Sequence, residues 1–400
     1  MIERVHGDDS RRVGADYDVI IVGGGPVGLL LGCFLKQQGV RFRLLERRVK
    51  ALGYSAAIGI TPPSLGILGK LGLAEEFFAA GVRVQDCIVH GRSGRLGCVS
   101  FREISHLHRF ILAVPQVITV AILRRHLGEE HVEAGCEVSE VGQGEEHGWV
   151  RAGERRLTAR FVIGCDGSRS RVRELIGMRA PGRVYDCHFA MGDFVDRSGF
   201  GDEAHLFFTE TGAVESFPLP GGQRRWIVQT EAHLEHPPAG FISELIQRRT
   251  GMEVAAADQL NESAFTPRRH QCDRYYDGRV ILCGDAAHGM SPIGGQGMNT
   301  GFADAEFLAA VMGRAEPLAL LPAYDRFRRK AAESATRRAE WGMGLGTWRG
   351  RARCLVRDAV LKHLLCRGPV ARHLGSFYAM LTIPFNTLAR VPGMAREPWS

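Results

Sequence analysis

Residues 17–39 read YDVIIVGGGPVGLLLGCFLKQQG, and this run restricts the fold more than any other stretch of the chain. Asp18 to Val22 is a short β-branched strand. Gly23, Gly25 and Gly28 follow at GxGxxG spacing, with Pro26 and Val27 between them, before an apolar helical stretch that reaches Leu35. Gly39 stands where a helix C-terminal cap belongs. A strand that turns over glycines straight into a helix brings free backbone N–H groups and a positive helix end to one point, where pyrophosphate oxygens can meet them. A side chain at Gly25 would block that approach. The next strand, FRLLE, ends in Glu46, eighteen residues beyond Gly28, and Arg47 follows it. That offset is close to the roughly 20 residues at which an acid accepts ribose hydroxyls. In a chain with 50 glycines the GxGxxG alone could mark only a tight turn; Glu46 and the flanking pattern predict nucleotide binding.

A second glycine-rich segment, Gly278 to Leu308, reads GRVILCGDAAHGMSPIGGQGMNTGFADAEFL: a short apolar strand, an acidic elbow, a glycine turn and a helix start. Asp285, after Gly284 at the end of a buried strand, can hydrogen-bond a polyhydroxy chain such as ribitol. Gly294, Gly295 and Gly297 let backbone lie against a flat ring. The amides of Gly297, Met298 and Asn299 open a helix whose positive end suits the negative charge of a reduced isoalloxazine. The plain alternative is a loop that merely turns. Between the two segments, Asp166-Gly167 with Ser170, Arg171 and Arg173 spells DGxxSxxR at a strand-to-helix elbow. There Asp166 can accept from backbone or hydroxyl groups while the arginines face a phosphate, or it can simply cap a helix beside solvated arginines.

Four hundred residues exceed the usual size of one core and suggest two or three domains. The ten cysteines are scattered, with no CxxC and no His/Cys cluster at zinc-like spacing, which predicts reduced, core-packing thiols, no metal and a cytoplasmic setting. The uncharged run from Val19 to Leu35 falls short of a spanning helix and carries five glycines and a proline, so strand plus turn plus helix explains it better than a membrane segment. Residues 1–15 read as a disordered extension.

Along the chain, the patterns predict helices from Thr61 to Leu71, through Phe78, and from Val120 to Leu127 after Gln116. Strands are expected at Gln85 to His90, Val99 to Arg102, Val132 to Val138, Trp149 to Val150 and Leu157 to Ile163. From Val184 to Phe265 the texture becomes strand-sized pieces broken by Gly and Pro turns, with one helix near Phe241 to Arg249, which reads as an antiparallel sheet. The expected division is a split dinucleotide-binding domain at 16–80, 103–180 and 268–330, a substrate-binding sheet domain at 81–102 and 181–267, and a basic helical region at 331–400.

With GGGPVG and Glu46, CDGSRSRVR, and GDAAHGMSPIGGQGMNTGFADA in order, the chain resembles the flavin-dependent aromatic hydroxylases of the p-hydroxybenzoate hydroxylase type, the group A flavoprotein monooxygenases. The likeness covers roughly residues 16 to 330. It implies a glutathione-reductase-type FAD-binding domain of Rossmann-like α/β fold with an inserted, mostly antiparallel β-sheet and a C-terminal helical region. It also implies FAD as cofactor, NADPH or NADH as co-substrate, and oxygen transfer from a C4a-hydroperoxyflavin to an aromatic or polyketide-like natural-product intermediate, with simple benzoates second. Gln116 matches a family position that contacts FAD. Pro292 lies where the family's loop passes the flavin, and its carbonyl could face the oxygen-transfer region. His288 could titrate near neutral pH, or be a histidine packed beside the elbow. His188, Tyr185 and His205 fall in the inserted sheet, where core or rim roles account for them. No catalytic base is named.

Two departures stand out. Ala56 occupies the place where the family usually shows an arginine, and the chain resembles the short members, without a thioredoxin-like C-terminal domain. Rival readings are an epoxidase or oxidative cyclase, a halogenase acting on a lipophilic substrate (although the WxWxIP signature is absent), and a non-catalytic flavin-binding scaffold. After Lys330 eleven basic residues face four acids, an excess of seven that equals the whole net charge of +7. That region is expected to meet an acidic surface, either an acyl carrier protein or an anionic membrane at which the enzyme is peripheral, or to dock an apolar patch on the flavin domain. No nucleic-acid module accompanies the charge.

Overall fold

The computed structural model describes residues 15–50, 57–385, 388 and 391. Ala56 and nearly all of the N-terminal extension lie outside these residues. The Tyr17–Val22 strand runs at the centre of a sheet, parallel to Phe42–Glu46 on one side and to Arg155–Gly164 on the other. Val132–Ala134 and Val280–Leu282 extend the parallel set outward. Both faces of these strands are covered, which is why they read as continuous β-branched runs and not as alternating ones. The Pro26–Gln37 and Gln296–Met312 helices share the largest apolar core with them.

The Gln296–Met312 helix is buried along almost its whole length. Small residues make that possible: a Cβ on Gly301 would stand 2.6 Å from Val27 Cγ2.

A second, seven-stranded sheet has the order Gln259–Phe265, His188–Val195, Gln223–Thr230, Gly212–Leu219, Ala204–Thr209, Asp86–Gly91, Gly94–Ser100. One face packs on the Phe241–Thr250 helix around Phe207 and Trp226. The other faces the C-terminal helices. The fold is thus mixed α/β with a helical C-terminal region.

The sheet is mostly antiparallel, as expected; the exception is Ala204–Thr209, which runs parallel to Asp86–Gly91, the strand contributed from far earlier in the chain. Two expectations are corrected. The strand expected from Val132 to Val138 is broken at Gly135, whose φ of +74° turns the chain back into the separate Val138–Gln143 strand. The helix expected from Val120 begins a turn earlier, at Gln116, because Pro115 ends the preceding extended segment and serves as its N-cap. All ten cysteines are unpaired. Among the described residues no helix is long and apolar enough to cross a membrane, and no group of His, Cys, Asp and Glu could hold a metal ion.

Candidate active site

The first glycine turn is fixed by contacts that admit no side chain. Gly23 has φ +113°, and a Cβ there would sit 2.5 Å from the Cys165 carbonyl oxygen, while a Cβ on Gly28 would sit 2.0 Å from the Gly23 carbonyl oxygen. Gly25 is different: a Cβ on it would meet no protein atom within 4 Å. It is the N-cap of the Pro26–Gln37 helix, whose first turn holds no side-chain cap and no acid. Pro26 has no N–H, and the N–H groups of Val27 and Gly28 precede the first intrahelical bond, from Leu29 to the Gly25 oxygen at 3.0 Å. A helix start bare of side chains is therefore left facing open space.

Glu46 closes this turn from the side. Its Oε2 accepts the Gly24 N–H at 2.7 Å and its Oε1 accepts the Arg48 N–H at 2.9 Å. Each carboxylate oxygen has a further lone pair, so ribose hydroxyls can still be accepted. Arg47 beside it is exposed. Gln116 opens its helix, and its Oε1 accepts the Ala57 N–H at 3.2 Å.

The second glycine loop joins the first through Val27. A Cβ on Gly284 would lie 3.1 Å from the Val27 methyls, which also press on Gly301. The Gln296–Met312 helix likewise starts without a side-chain cap or an acid, from Gly295 at φ +64°. A Cβ on Gly295 would meet nothing within 4 Å, and one on Gly297 nothing nearer than 3.7 Å. Met298 is part-buried against the core.

Asp285 lies beside Gly297, and its carboxylate makes no hydrogen bond or ion pair among the described residues. It is deep in the protein yet open to solvent, as a side chain lining a cleft is. Burial pushes its carboxyl above the ordinary range, against the pull of His288 and with the push of Asp304. Two bare helix starts, three glycines with open sides and a partnerless acceptor fit a group that carries a pyrophosphate, a hydroxylated chain and a flat ring.

Other residues singled out in the sequence have different uses. Asp166 gives both oxygens to the short Arg171–Leu175 helix, accepting from Ser170 Oγ at 2.6 Å and from the N–H groups of Arg171 at 2.6 Å and Val172 at 3.1 Å. Arg173 is engaged with protein. It donates to the carbonyls of Ala286 and Ser168, both at 2.9 Å, and so ties the elbow to the Asp285 turn. The Asn299 side chain is engaged with protein: Oδ1 accepts the Thr61 N–H at 2.9 Å, and Nδ2 donates to the carbonyls of Gly59 at 2.9 Å and Gly295 at 2.6 Å. What Asn299 can offer a ligand is its place in the first helical turn. The Pro292 carbonyl accepts the Gly295 N–H at 2.9 Å, which shapes the loop.

His288 does not reach the cleft. It is fully buried, with Nε2 2.5 Å from Asp304 Oδ2, while Arg328 Nε donates to Asp304 Oδ1 at 2.6 Å. Burial pushes the Asp304 carboxyl up, but His288 and Arg328 outweigh it and hold it below the usual range. Tyr185 donates its hydroxyl to Glu340 at 2.7 Å, and His188 Nδ1 lies 2.8 Å from Thr266 Oγ1. His205 stacks on Phe200 and meets His90; burial lowers it to about 4.

The sequence reading missed Thr61, Gly301, Asp304 and Arg328, which hold the second loop in place. Asp304 left a signal, being an acid inside the otherwise apolar run from Gly301 to Ala305.

A family model described as FAD binding domain matches residues 16–339. The chain is 33% identical to a rifampicin monooxygenase of Streptomyces venezuelae over 333 residues, which are 79% of this chain and 69% of that protein. It is 31% identical to a 12-dehydrotetracycline 5-monooxygenase/anhydrotetracycline 6-monooxygenase of Streptomyces rimosus, over 80% of this chain and 68% of that protein. Among solved structures, p-nitrophenol 4-monooxygenase from Pseudomonas putida superposes with a TM-score of 0.81 at 21% identity, covering 90% of this chain and 96% of that one, a likeness of fold. An aromatic hydroxylase from angucycline biosynthesis superposes with a TM-score of 0.76 at 29% identity, covering 92% and 77%.

Proposed function

The chain belongs to the FAD-binding-domain family of flavin-dependent aromatic monooxygenases, and from that membership we propose that it hydroxylates a polycyclic phenolic or polyketide-like ring. It is an FAD-dependent enzyme with NAD(P)H as co-substrate and O2 as oxidant. Relatives named for tetracycline, rifampicin and angucycline chemistry favour a multi-ring substrate over a simple benzoate. They do not favour the scaffold, halogenase or cyclase alternatives.

The observation that carries this reading is Asp285, without a partner among the described residues, set by two uncapped helix starts. Bound FAD supplies the redox and oxygen-activating chemistry. The protein's part is to bind, orient and exclude water. In this reading Gly23, Gly25 and Gly28 with the Pro26 and Val27 turn hold the pyrophosphate, and Glu46 holds the ribose with Arg47 at the rim. Asp285 beside Gly284 takes the ribityl hydroxyls, Gly295, Gly297, Met298 and Asn299 present the helix start to the ring, and Gln116, Asp166 and Pro292 shape the rim. Residues 16–80, 103–180 and 268–330 then form the FAD-binding unit. Residues 81–102 and 181–267 form the substrate sheet, and the described residues from 331 onward the helical cover.

The test is NADPH oxidation by the flavin-loaded protein with hydroxynaphthoquinones and anthraquinones, with isotopic O2 to trace the oxygen. Stimulated oxidation with label in a hydroxylated product supports the reading. Oxidation that no aromatic stimulates counts against it.

A peripheral role for the C-terminal region has its own support. On the Arg351–Val360 helix and the turn after it, Leu355, Val356, Val360 and Leu364 are exposed beside Arg351, Arg353 and Lys362. We infer an acidic docking partner there, a carrier protein first and an anionic membrane second. Binding to either that weakens with added salt supports it, and salt-insensitive absence of binding to both disposes of it.

A further inference from the structure

The seven-stranded sheet turns one face toward the glycine-rich loop, and on that face an acid stands among apolar side chains. Cross-strand register places Leu206, Glu215, Ile227 and Met191 in one row, and residues paired in this way project to the same face. Leu206 shares an apolar cluster with Cys87 and Tyr378, and Ile227 shares another with Ile293 of the glycine loop. The Tyr378 ring stands 3.8 Å from the position a Gly294 Cβ would take. The row therefore lies opposite the loop, with Tyr378 between them.

Glu215 makes no hydrogen bond or ion pair with any described residue. It lies deep in the protein, yet Cys87, Leu206, Glu215, Ile227 and Tyr378 each keep part of their surface accessible. A close-packed interior would cover them, so this face is incompletely filled by protein. Burial alone pushes the Glu215 carboxyl up to about 7. The titratable groups facing it are Cys87 and Tyr378, with Cys98 and Cys366 behind Cys87, and burial raises all four. They are neutral at pH 7, and no cation among the described residues offsets the Glu215 charge. A carboxylate so placed has a donor missing, and in an apolar space that donor comes from whatever occupies it.

We infer that Glu215 is the substrate-facing acceptor of this enzyme: it receives the hydrogen bond of an aromatic hydroxyl, and the pocket selects neutral phenolic donors over substrates that present a carboxylate there. The inference rests on the monooxygenase reading, which sets an aromatic substrate between sheet and loop. A ligand carboxylate at the same place would put two like charges together in an apolar space.

The experiment compares binding of naphthol and of naphthoate to the FAD-loaded protein, read from the flavin absorption band on either side of pH 7. Naphthol should bind about ten-fold more tightly above that pH than below it, and naphthoate should show the opposite slope, because each responds to the charge on Glu215. Glu215→Gln should flatten both slopes and improve naphthoate binding at high pH by about ten-fold. Glu215→Asp should keep the slopes, and melting curves of both variants check that the fold is intact. Slopes that survive in Glu215→Gln overturn the assignment, as does failure of the wild type to bind either probe. Flavin content and NADPH-driven bleaching on the same preparations separate the two failures. A yellow protein that bleaches but shows no Glu215-dependent slope refutes only the role of Glu215, whereas one that takes up no FAD refutes the monooxygenase reading with it.

Discussion

Asp285 and Glu215 are both acids deep in the protein, without partners among the described residues, and the regions around them are built by opposite rules. Around Asp285 the ligand-facing surface is backbone: glycines with open sides and two helix starts without caps. Around Glu215 it is side chains on a sheet face, from strands far apart in sequence. A backbone surface can hold a phosphate-bearing cofactor whatever the substrate is. A side-chain surface can change its selectivity one residue at a time without disturbing the cofactor. That separation is what the following substitutions probe.

The largest effect is expected beneath the loops. Asp304→Asn leaves Arg328 buried without its counter-charge and should lower stability by about 3–5 kcal/mol in urea unfolding. Because the Asp304 carboxyl is held below its ordinary value when folded, its contribution is complete above the usual carboxylate range and is lost as pH falls through the depressed value. The gap between wild type and variant should therefore narrow in acid.

Next comes a pair of glycines three residues apart. Gly28→Ala drives a Cβ into the Gly23 carbonyl and should destabilise the fold by about 1–3 kcal/mol, with FAD lost as a consequence. Gly25→Ala has room in the protein, so it should melt like wild type and still bind FAD at least about ten-fold more weakly. If both variants behave alike, the distinction between packed and ligand-facing glycines fails.

Asp285→Asn should weaken FAD binding by about ten-fold, the loss of a charge-assisted bond. It should also raise the melting temperature of the apoprotein at alkaline pH, since an acid whose value is raised on folding opposes folding once it ionises. The smallest effect belongs to the sheet. Glu215 rises from 4.5 to about 7 on folding, so wild-type stability should fall across that interval while that of Glu215→Gln does not. The two should melt alike at the acid end and differ by on the order of 1 kcal/mol above pH 7, after allowing for the solvent Glu215 retains.

The same contrast explains what could be read from the sequence. Gly23, Gly28 and the Gly284 to Gly295 turns were legible because close packing or a left-handed backbone fixes glycine there, and Gly25 and Glu46 because they keep a set spacing from that turn. Helix and strand limits slipped where one residue redirected the chain, as Pro115 did for the Gln116 helix and Gly135 for the strand expected through Val138. For His288 the two readings, a titrating group or a histidine packed beside the elbow, stayed open because its partner, Asp304, lies sixteen residues on and a full element away. Glu215 was illegible for a stronger reason. In VESFPL it shares a face with Phe217 and Leu219, an acid on an apolar face, but which loop that face meets depends on the register of several strands and on Tyr378 far downstream.

The most direct test of the account is an equilibrium titration of the apoprotein with FAD, followed by flavin fluorescence, for wild type and Gly25→Ala side by side. The account predicts one FAD taken up per wild-type chain, and much weaker uptake by a Gly25→Ala protein whose melting curve is unchanged. Equal uptake by the two would show that the open side of Gly25 does not face the cofactor, and would contradict the site proposed here.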